Sequence, residues 1–559
     1  MHKTTIKNQW IGLFFLLLSV SYLLLFFDWS TRQFVFIAGD DFSFHMSRVF
    51  NMANDIKQTG WPSYLSEFGI SRVMYGLNFF YPSLTTIVPL AYGTVGLGSA
   101  IKAYYFYFVG LNLVTLWLAY KSSFYLFQPF KISDRALQQA AILFAVCYSL
   151  SAYRLVDLTT RFALGEAVAL SFLPLVLAGF VSIYFRDGKK WYWLAAGLSL
   201  ICYTHLLSVF LTGVLLSLSC LIYFRQLNWR RIRQLLAAGG LTLLLAAGSL
   251  VPLVEQLQYI KIASVHPYQL SEQAQPLFKI LAAAFENHLN QQTIGLWVIV
   301  VLVGGVFYFR RSTISRLGRQ SFYWSLGLLF SLTTFFPWQW LQATPLKNIQ
   351  FPFRLTAFLV LFSCVLAVDL LKTKLNFVLV LGITFALLSI NVISNAQATQ
   401  QKEQTGDYRH DYLLISDHGI KKSRRFQLYN NTDYFPKAAL EFRGENGNSL
   451  YSKTLFLNGK AQPLPYRFVG GQTRFTLKAP RASNQVDLPL LAYKGVQVTV
   501  NQKRVASSVS KRGTIKLTSA KGVQQITVFY RSTKAVIVAW LISGITLIGF
   551  VFRKTTKKR

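Results

Sequence analysis

The sequence places an acid pair, an imidazole and a guanidinium in one short stretch, directly after its first apolar segment. The stretch reads Gly39-Asp40-Asp41-Phe42-Ser43-Phe44-His45-Met46-Ser47-Arg48. On a helix, Asp41, His45 and Arg48 take positions i, i+4 and i+7, which share a face and can point into one cleft. Such a set can transfer a proton and hold a phosphate. The alternative for Asp40 is an N-cap, whose carboxylate binds free backbone N–H groups at a helix start.

The composition indicates a membrane protein rather than a soluble one. Of the 559 residues, 53% are hydrophobic, 16% aromatic and only 14% charged. The formal charge of +36 is compatible with nucleic acid binding. However, the basic residues cluster between apolar runs, which is what the positive-inside rule predicts, so a membrane is the better interpretation. The four cysteines lie in apolar segments without disulfide or zinc spacing, which favours simple packing: Cys147, Cys202, Cys220 and Cys364.

Apolar runs of about 20 residues and the basic clusters between them predict about 12 membrane spans. The basic start, with Lys3 and Lys7, is predicted to be cytoplasmic, which puts the acid pair outside. If the run 81–98 crossed the membrane, every later basic cluster would lie outside. We therefore expect this run to lie on the membrane, within one long external loop, 28–100. The alternative, that 81–98 spans, stays open. The predicted spans are 10–27, 101–120, 137–151, one ending at 185, two within 191–224, 235–253, 294–309, 322–336, two around Lys372 and Lys374, and 535–552.

A second region, 395–534, predicts a β-rich external domain between the transmembrane domain 1–394 and a C-terminal anchor with a basic cytoplasmic tail, 535–559. Short β-prone runs at 453–457, 474–477, 496–500, 514–517 and 525–530 are separated by turn residues such as Asn458-Gly459, a pattern typical of a β-sandwich. The region holds about 23 Lys and Arg against about 8 Asp and Glu. This imbalance favours an anionic partner, and equally a domain that is simply basic beside anionic lipid.

Ionisable residues recur at the external ends of the predicted spans. Ionisable groups near the membrane are costly to bury unless they are paired or functional. Because all of these residues are predicted on the external side, they predict one outward-facing cavity. A transporter would more naturally place them near the midplane, on broken and repeated helices. The structural alternatives are that Arg354 snorkels, that His205 satisfies backbone groups, that Asp157 and Arg161 form an i, i+4 ion pair, and that the two glutamates pair with arginines or cap helices. The set is Asp40, Asp41, His45, Arg48, Asp157, Arg161, Glu166, His205, Glu255 and Arg354.

The order of these motifs resembles a known class of membrane enzymes. A long first external loop that opens with an acidic pair is similar to the GT-C glycosyltransferases. Gly39-Asp40-Asp41, Gly60-Trp61-Pro62, Asn78-Phe79-Phe80-Tyr81-Pro82 and Gln350-Phe351-Pro352-Phe353-Arg354 resemble motifs of bacterial pyruvoyl-tetrahydropterin-synthase-related membrane proteins. The external part, with Asp433-Tyr434-Phe435-Pro436, Leu488-Pro489-Leu490 and a hairpin over 493–505, resembles a related family implicated in glycosylating lipoteichoic acid.

The resemblance implies a multi-pass bacterial plasma-membrane glycosyltransferase that moves a sugar from a polyprenyl-phosphate donor to an anionic envelope polymer. Asp41 or Asp40 would act as general base, and Arg354, helped by Arg161 or His205, would hold the leaving phosphate. Other implied substrate contacts are His45, Arg48, Glu166, Glu255 and Gln350. The Asp-Asp pair departs from the Asp-Glu pair of protein mannosyltransferases, which leaves open which Asp reacts and whether a divalent cation bridges them. A flippase of lipid-linked glycans and a polymer-binding scaffold are the rival hypotheses.

Overall fold

The computed structural model forms two compact units, each built from separate stretches of the chain. The first unit comprises 1–42, 104–242 and 267–424, and the second comprises 43–103, 243–266 and 425–559. Both units therefore draw on the region predicted as one transmembrane domain. The described residues are 6–65, 73–263, 268–289, 292–308, 314–404, 413–414, 416–422, 432–441, 453–463, 465–469 and 471–556. Lys3 and the end of the predicted basic tail, Lys557, Lys558 and Arg559, lie outside them.

Helices make up most of the described chain, and nearly every predicted apolar segment forms one. The α-helices are Asn8–Ser21, Phe42–Thr59, Leu77–Phe80, Ile87–Leu97, Ala100–Phe127, Asp134–Ser149, Ala152–Leu158, Leu164–Leu170, Leu173–Phe185, Trp191–Cys202, Leu206–Ile222, Trp229–Leu245, Ala247–Tyr259, Leu270–Gln273, Leu277–Glu286, Leu296–Tyr308, Arg316–Leu332, Trp338–Leu341, Thr356–Leu371, Phe377–Gln404, Asp417–Lys422, Lys437–Glu441 and Lys534–Thr556. Short 3₁₀ helices are Tyr22–Phe26, Gln128–Phe130, Phe224–Gln226, Pro345–Ile349 and Pro352–Leu355.

Fewer of the described helices meet the length and composition of a membrane span than the sequence predicts. Within the described residues, six helices are long and apolar enough to cross, or up to eight if each of two bent pairs counts as one span. Twelve spans are thus not confirmed. Several predicted spans are short: Leu296–Tyr308 has 13 residues, which at about 1.5 Å per residue gives about 20 Å against a hydrocarbon core of about 30 Å.

The run 81–98 contains one short helix, Ile87–Leu97, which ends at Gly98 in the left-handed conformation. Its 11 residues reach about 16 Å, about half of the hydrocarbon thickness. On length alone, this helix does not cross a membrane. Its predicted position on the membrane surface stays a prediction.

The β structure consists of two small pairs and two larger sheets. Near the N-terminus β1 (Phe27–Asp28) pairs with β2 (Gln33–Phe34), and β3 (Phe36–Ile37) pairs with β4 (Leu413–Leu414). The remaining strands are β5 (Thr454–Leu457), β6 (Lys460–Pro463), β7 (Tyr466–Val469), β8 (Gln472–Ala479), β9 (Asn484–Leu491), β10 (Val496–Val500), β11 (Lys503–Val505), β12 (Ser507–Val509), β13 (Thr514–Ser519) and β14 (Gly522–Tyr530).

These ten strands form two antiparallel sheets, ordered β11-β10-β14-β8-β7 and β12-β13-β9-β5-β6. Both contribute to one buried core, with Phe475 and Ile526 from the first sheet and Leu488 and Leu517 from the second. Two sheets that share a core in this way form the expected β-sandwich. The predicted Asn458-Gly459 turn joins β5 to β6 with both residues at positive φ, as a type I′ hairpin requires.

Candidate functional site

The acid pair is fixed against the segment that carries Arg161. The backbone N–H of Asp41 donates to the Arg161 carbonyl at 2.9 Å. A Cβ added to Gly39 would lie 1.6 Å from the Thr160 carbonyl oxygen, so only glycine permits this approach. The Phe162 ring contacts the Phe36 and Phe42 rings on either side of the acid pair, at centroid distances of 5.3 and 5.8 Å. Backbone and aromatic contacts therefore hold Asp40 and Asp41 beside Arg161.

Behind the acid pair, two arginines and two carboxylates form a buried ion cluster. Arg161 Nη1 donates to Asp157 Oδ1, which forms the expected i, i+4 pair, and lies 3.6 Å from Glu166 Oε2. Arg354 Nε lies 3.5 Å from the same Glu166 oxygen. The Tyr153 hydroxyl donates to Glu166 Oε1. The carboxyl groups of Asp157 and Glu166 lie against the two guanidinium groups, which offsets the cost of burying them, and Glu166 links both arginines.

The late Gln350-Phe351-Pro352-Phe353-Arg354 motif supports both guanidinium groups. Arg354 Nη1 donates to Gln350 Oε1 at 2.6 Å and to the Ile349 carbonyl at 3.2 Å. Its guanidinium lies over the Phe351 ring, and that of Arg161 lies over the Phe353 ring, at 5.0 and 4.7 Å from the centroids. Arginine stacks well on aromatic faces. One five-residue motif thus orients two cations.

Asp41 has the electrostatics of a group that exchanges a proton near neutral pH. Its side chain is exposed to solvent, yet the surrounding protein removes enough water to raise its pKa to about 6. Arg161 and Arg354 oppose this rise, whereas Asp40 and Glu166 add to it. For Arg161, burial alone would lower the pKa, but the carboxylates of Asp157 and Glu166 outweigh it and raise the pKa. Arg161 therefore stays charged while Asp41 titrates.

His205 lies in the turn between helices Trp191–Cys202 and Leu206–Ile222, where the sequence predicts it. Its Nδ1 is 2.8 Å from Ser208 Oγ. Burial lowers its pKa to about 4, although the Glu166 carboxylate acts in the opposite direction. At neutral pH the imidazole is uncharged and serves as a neutral hydrogen-bonding group near Glu166.

His45 and Arg48 lie on one helix, as their spacing predicts, and their role as substrate contacts stays a prediction. The helix begins at Phe42 and buries both side chains in the second unit, with His45 0% and Arg48 4% exposed. Arg48 donates to Asn78 Oδ1 and to the Tyr81 and Pro82 carbonyls, and lies over the Tyr81 ring. Those acceptors lie in the Asn78-Phe79-Phe80-Tyr81-Pro82 motif, so Arg48 holds that motif in place.

Glu255 also belongs to the second unit. Its carboxylate accepts a hydrogen bond from the Thr533 hydroxyl at 3.0 Å, and Thr533 Oγ1 accepts one from the Val536 N–H at the start of the C-terminal helix. This arrangement supports the helix-cap alternative. A substrate contact for Glu255 stays a prediction.

The structure adds Tyr153 and Thr160 to the candidate site, and sequence reasoning missed both. A tyrosine inside an apolar run carries no signal for chemistry, and the role of Thr160 rests on its backbone carbonyl. A divalent cation between Asp40 and Asp41 stays a prediction. Within the described residues, no three or more His, Cys, Asp or Glu side chains are grouped so as to hold a metal.

No protein-family model matches this chain, and no curated protein matches it either. Three solved structures are similar to it. Arabinofuranosyltransferase AftD from Mycobacteria matches with 16% identity and a TM-score of 0.40, covering 72% of this chain and 27% of AftD. A mutant of AftD matches with 12% identity and a TM-score of 0.44, covering 96% of this chain and 42% of that one. ArnT from Cupriavidus metallidurans, solved with undecaprenyl phosphate, matches with 11% identity and a TM-score of 0.42, covering 69% of this chain and 64% of ArnT. The chain spans less than two thirds of each.

Proposed function

We propose that this chain is a GT-C-type membrane glycosyltransferase that transfers a sugar from a polyprenyl-phosphate donor to an envelope polymer such as teichoic acid. The observation that carries the proposal is the placement of Asp41, whose backbone N–H donates to the Arg161 carbonyl, beside two largely buried arginines that Glu166 links. A base and a pair of cations are what transfer from a phosphate leaving group requires.

In the proposed reaction, Asp41 takes the proton from an acceptor hydroxyl. The acceptor oxygen then bonds to the anomeric carbon while the bond from that carbon to the phosphate oxygen breaks. The lipid phosphate leaves with the bonding electrons, and Arg354 and Arg161 stabilise its growing charge. Arg354 is suited to this because, among the described residues, its Nη2 donates no hydrogen bond while its Nη1 donates two.

The proposed location is the bacterial plasma membrane, with both termini cytoplasmic and the acid pair and β-sandwich outside. The basic clusters between apolar helices support this orientation. The basic β-sandwich region would then meet an anionic acceptor polymer on the external side.

The direct test is the envelope-polymer composition of a strain that lacks this protein, complemented with the wild type or with Asp41→Asn. We expect one sugar substituent to disappear on deletion and to return only with the wild type. If the protein is a flippase, the deletion strain should also lose substituents, but Asp41→Asn should restore them. If it is a scaffold, Asp41→Asn should behave like the wild type. Full restoration by Asp41→Asn at equal expression contradicts the proposal.

Arg354→Lys should lower kcat by about 10²-fold, because lysine keeps the charge but loses the planar donor fork that Gln350 and Phe351 orient. The KM for the donor should change much less, since the growing charge on the phosphate is greatest in the transition state. Steady-state release of polyprenyl phosphate in proteoliposomes measures both constants. The matched control is Arg319→Lys, an exposed arginine of the same unit. Wild-type kcat in Arg354→Lys would exclude the assigned role.

Gly39→Ala should reduce the transfer rate by about 10²-fold, because displacing a catalytic group by about 1 Å costs about that much. The added Cβ collides with the backbone of Thr160, so the loop that carries Asp41 has to move. Gly110→Ala is the control, since no atom lies within 4 Å of its added Cβ. Equal transfer rates for Gly39→Ala and the wild type would show that the close contact does not position the acid.

A further inference from the structure

A cavity of the first unit, away from the ion cluster, has the lining of a sugar site. It has a volume of about 410 Å³ and lies between the β1–β2 hairpin and the C-terminal half of helix Phe377–Gln404. That volume is within the range of about 300–1,000 Å³ typical of ligand sites. The cavity is distinct from the ion cluster and none of the residues discussed above as catalytic lines it.

Among the described residues, the polar groups on its wall are amides, hydroxyls and one carboxylate, that of Asp28, which accepts hydrogen bonds from Ser30. Asn395 is 3% exposed and donates through Nδ2 to the Leu25 carbonyl at 2.9 Å, while its Oδ1 accepts no hydrogen bond from any described residue. Leaving a buried acceptor unsatisfied costs about 1–3 kcal/mol, so a ligand donor is expected there. Gln397 and Gln400 also line the cavity and are exposed.

An aromatic ring completes the wall. Trp29 lines the cavity with 57% of its surface exposed, and its ring stands edge-on against Phe27 at 4.9 Å between centroids. An indole face packs on the C–H side of a sugar ring while amides bind its hydroxyls. Since no Lys or Arg among the described residues lines the cavity, a phosphate or other anionic group is disfavoured there.

We propose that this cavity binds a neutral saccharide, namely the sugar units of the acceptor that precede the reacting hydroxyl. Ile37 of β3 lines the cavity and lies four residues before Asp41. Four residues span at most about 14 Å, so the Asp41 backbone lies within about 14 Å of this wall, a distance that a short saccharide can bridge. The assignment as an acceptor site rests on the proposed function, whereas saccharide binding itself does not.

The test is saturation-transfer-difference NMR on the full chain in lipid nanodiscs. The probes are glucose, galactose, rhamnose, N-acetylglucosamine, maltose and chitobiose, with glycerol 3-phosphate as the anionic probe. We expect signals from at least one saccharide and none from glycerol 3-phosphate. Trp29→Ala and Asn395→Leu should each weaken the saccharide signal by about five-fold or more. Trp340→Ala, a tryptophan 75% exposed elsewhere in the unit, should leave it unchanged.

The outcomes separate this proposal from the proposed function. Asp41→Asn should bind saccharide like the wild type, because its carboxylate does not line the cavity. Absence of any saccharide signal, a signal that survives both Trp29→Ala and Asn395→Leu, or a stronger signal from glycerol 3-phosphate would overturn the cavity assignment. Failure of the transferase proposal would instead appear as an Asp41→Asn chain that still restores the envelope sugar.

Discussion

Asp41→Asn is expected to lower the transfer rate by about 10³-fold, within the range of about 10²–10⁴ that a positioned general base contributes. Asparagine preserves the size of the side chain and the backbone hydrogen bond to Arg161, but it cannot accept the acceptor's proton. The measurement is single-turnover release of polyprenyl phosphate from the labelled donor. A rate within about ten-fold of wild type falls below that range and would move the base role to Asp40.

The pH dependence gives an independent test of the same role. Because the pKa of Asp41 is raised to about 6, the carboxylate is mostly ionised at pH 7, and wild-type kcat/KM should fall about ten-fold per unit below about pH 6. Asp40→Asn removes a negative neighbour that raises this pKa, so the acid limb should move to lower pH. An acid limb that does not move in Asp40→Asn would contradict the assignment.

Loss of stability cannot explain the effect of Asp41→Asn. The pKa of Asp41 is higher in the folded protein than its usual value of 3.8, so folding favours the protonated form. The protonated Asp41 carboxyl therefore adds to the free energy of unfolding. This contribution is fully present below the usual pKa and is lost as the pH rises through about 6. Removing the carboxylate should therefore leave the folded protein at least as stable at pH 7, which thermal unfolding in detergent will measure.

The sequence singles out the acid pair by its place directly after an apolar segment and the late arginine motif by its resemblance to a family motif, and both contact Arg161 in the structure. For His45 and Arg48, helix periodicity was a weaker guide. It predicts which side chains share a face, but not that Arg48 finds three carbonyl and amide acceptors around Tyr81. Pairing of Glu166 with arginines was one of the expected alternatives. Its partner Arg354 was hidden, since the pair joins residues almost 190 positions apart by tertiary packing.

In the β-sandwich, too, the sequence predicted strands from their local residue pattern but not the pairing of strands that are distant in the chain. The predicted strands at 496–500 and 525–530 fall within β10 and β14, and two-residue periodicity identifies them. Strand β9 was missed because Pro489 argues against a strand with neighbours on both sides. The twelve predicted spans are not confirmed for a related reason, since hydrophobicity does not separate a helix buried in protein from one that crosses a bilayer.

Glu166→Gln is expected to lower the free energy of unfolding by about 3–5 kcal/mol, which is the cost of removing one partner of a buried ion pair. Glu166 lies within 3.6 Å of Arg161 and within 3.5 Å of Arg354, and its side chain is 4% exposed. Glutamine has the same shape but no charge, so Asp157 alone would then balance two buried guanidinium groups. Unfolding titrations in SDS measure the loss.

The matched control is Glu272→Gln, an exposed glutamate of the same unit, which should change stability by less than about 0.5 kcal/mol. The double variant Glu166→Gln with Arg354→Gln discriminates further. If Glu166 serves mainly to neutralise Arg354, removing the cation as well should restore part of the lost stability. If neither variant alters unfolding, the two arginines are not held by Glu166. The phosphate-binding role of Arg354 would then need a different structural basis.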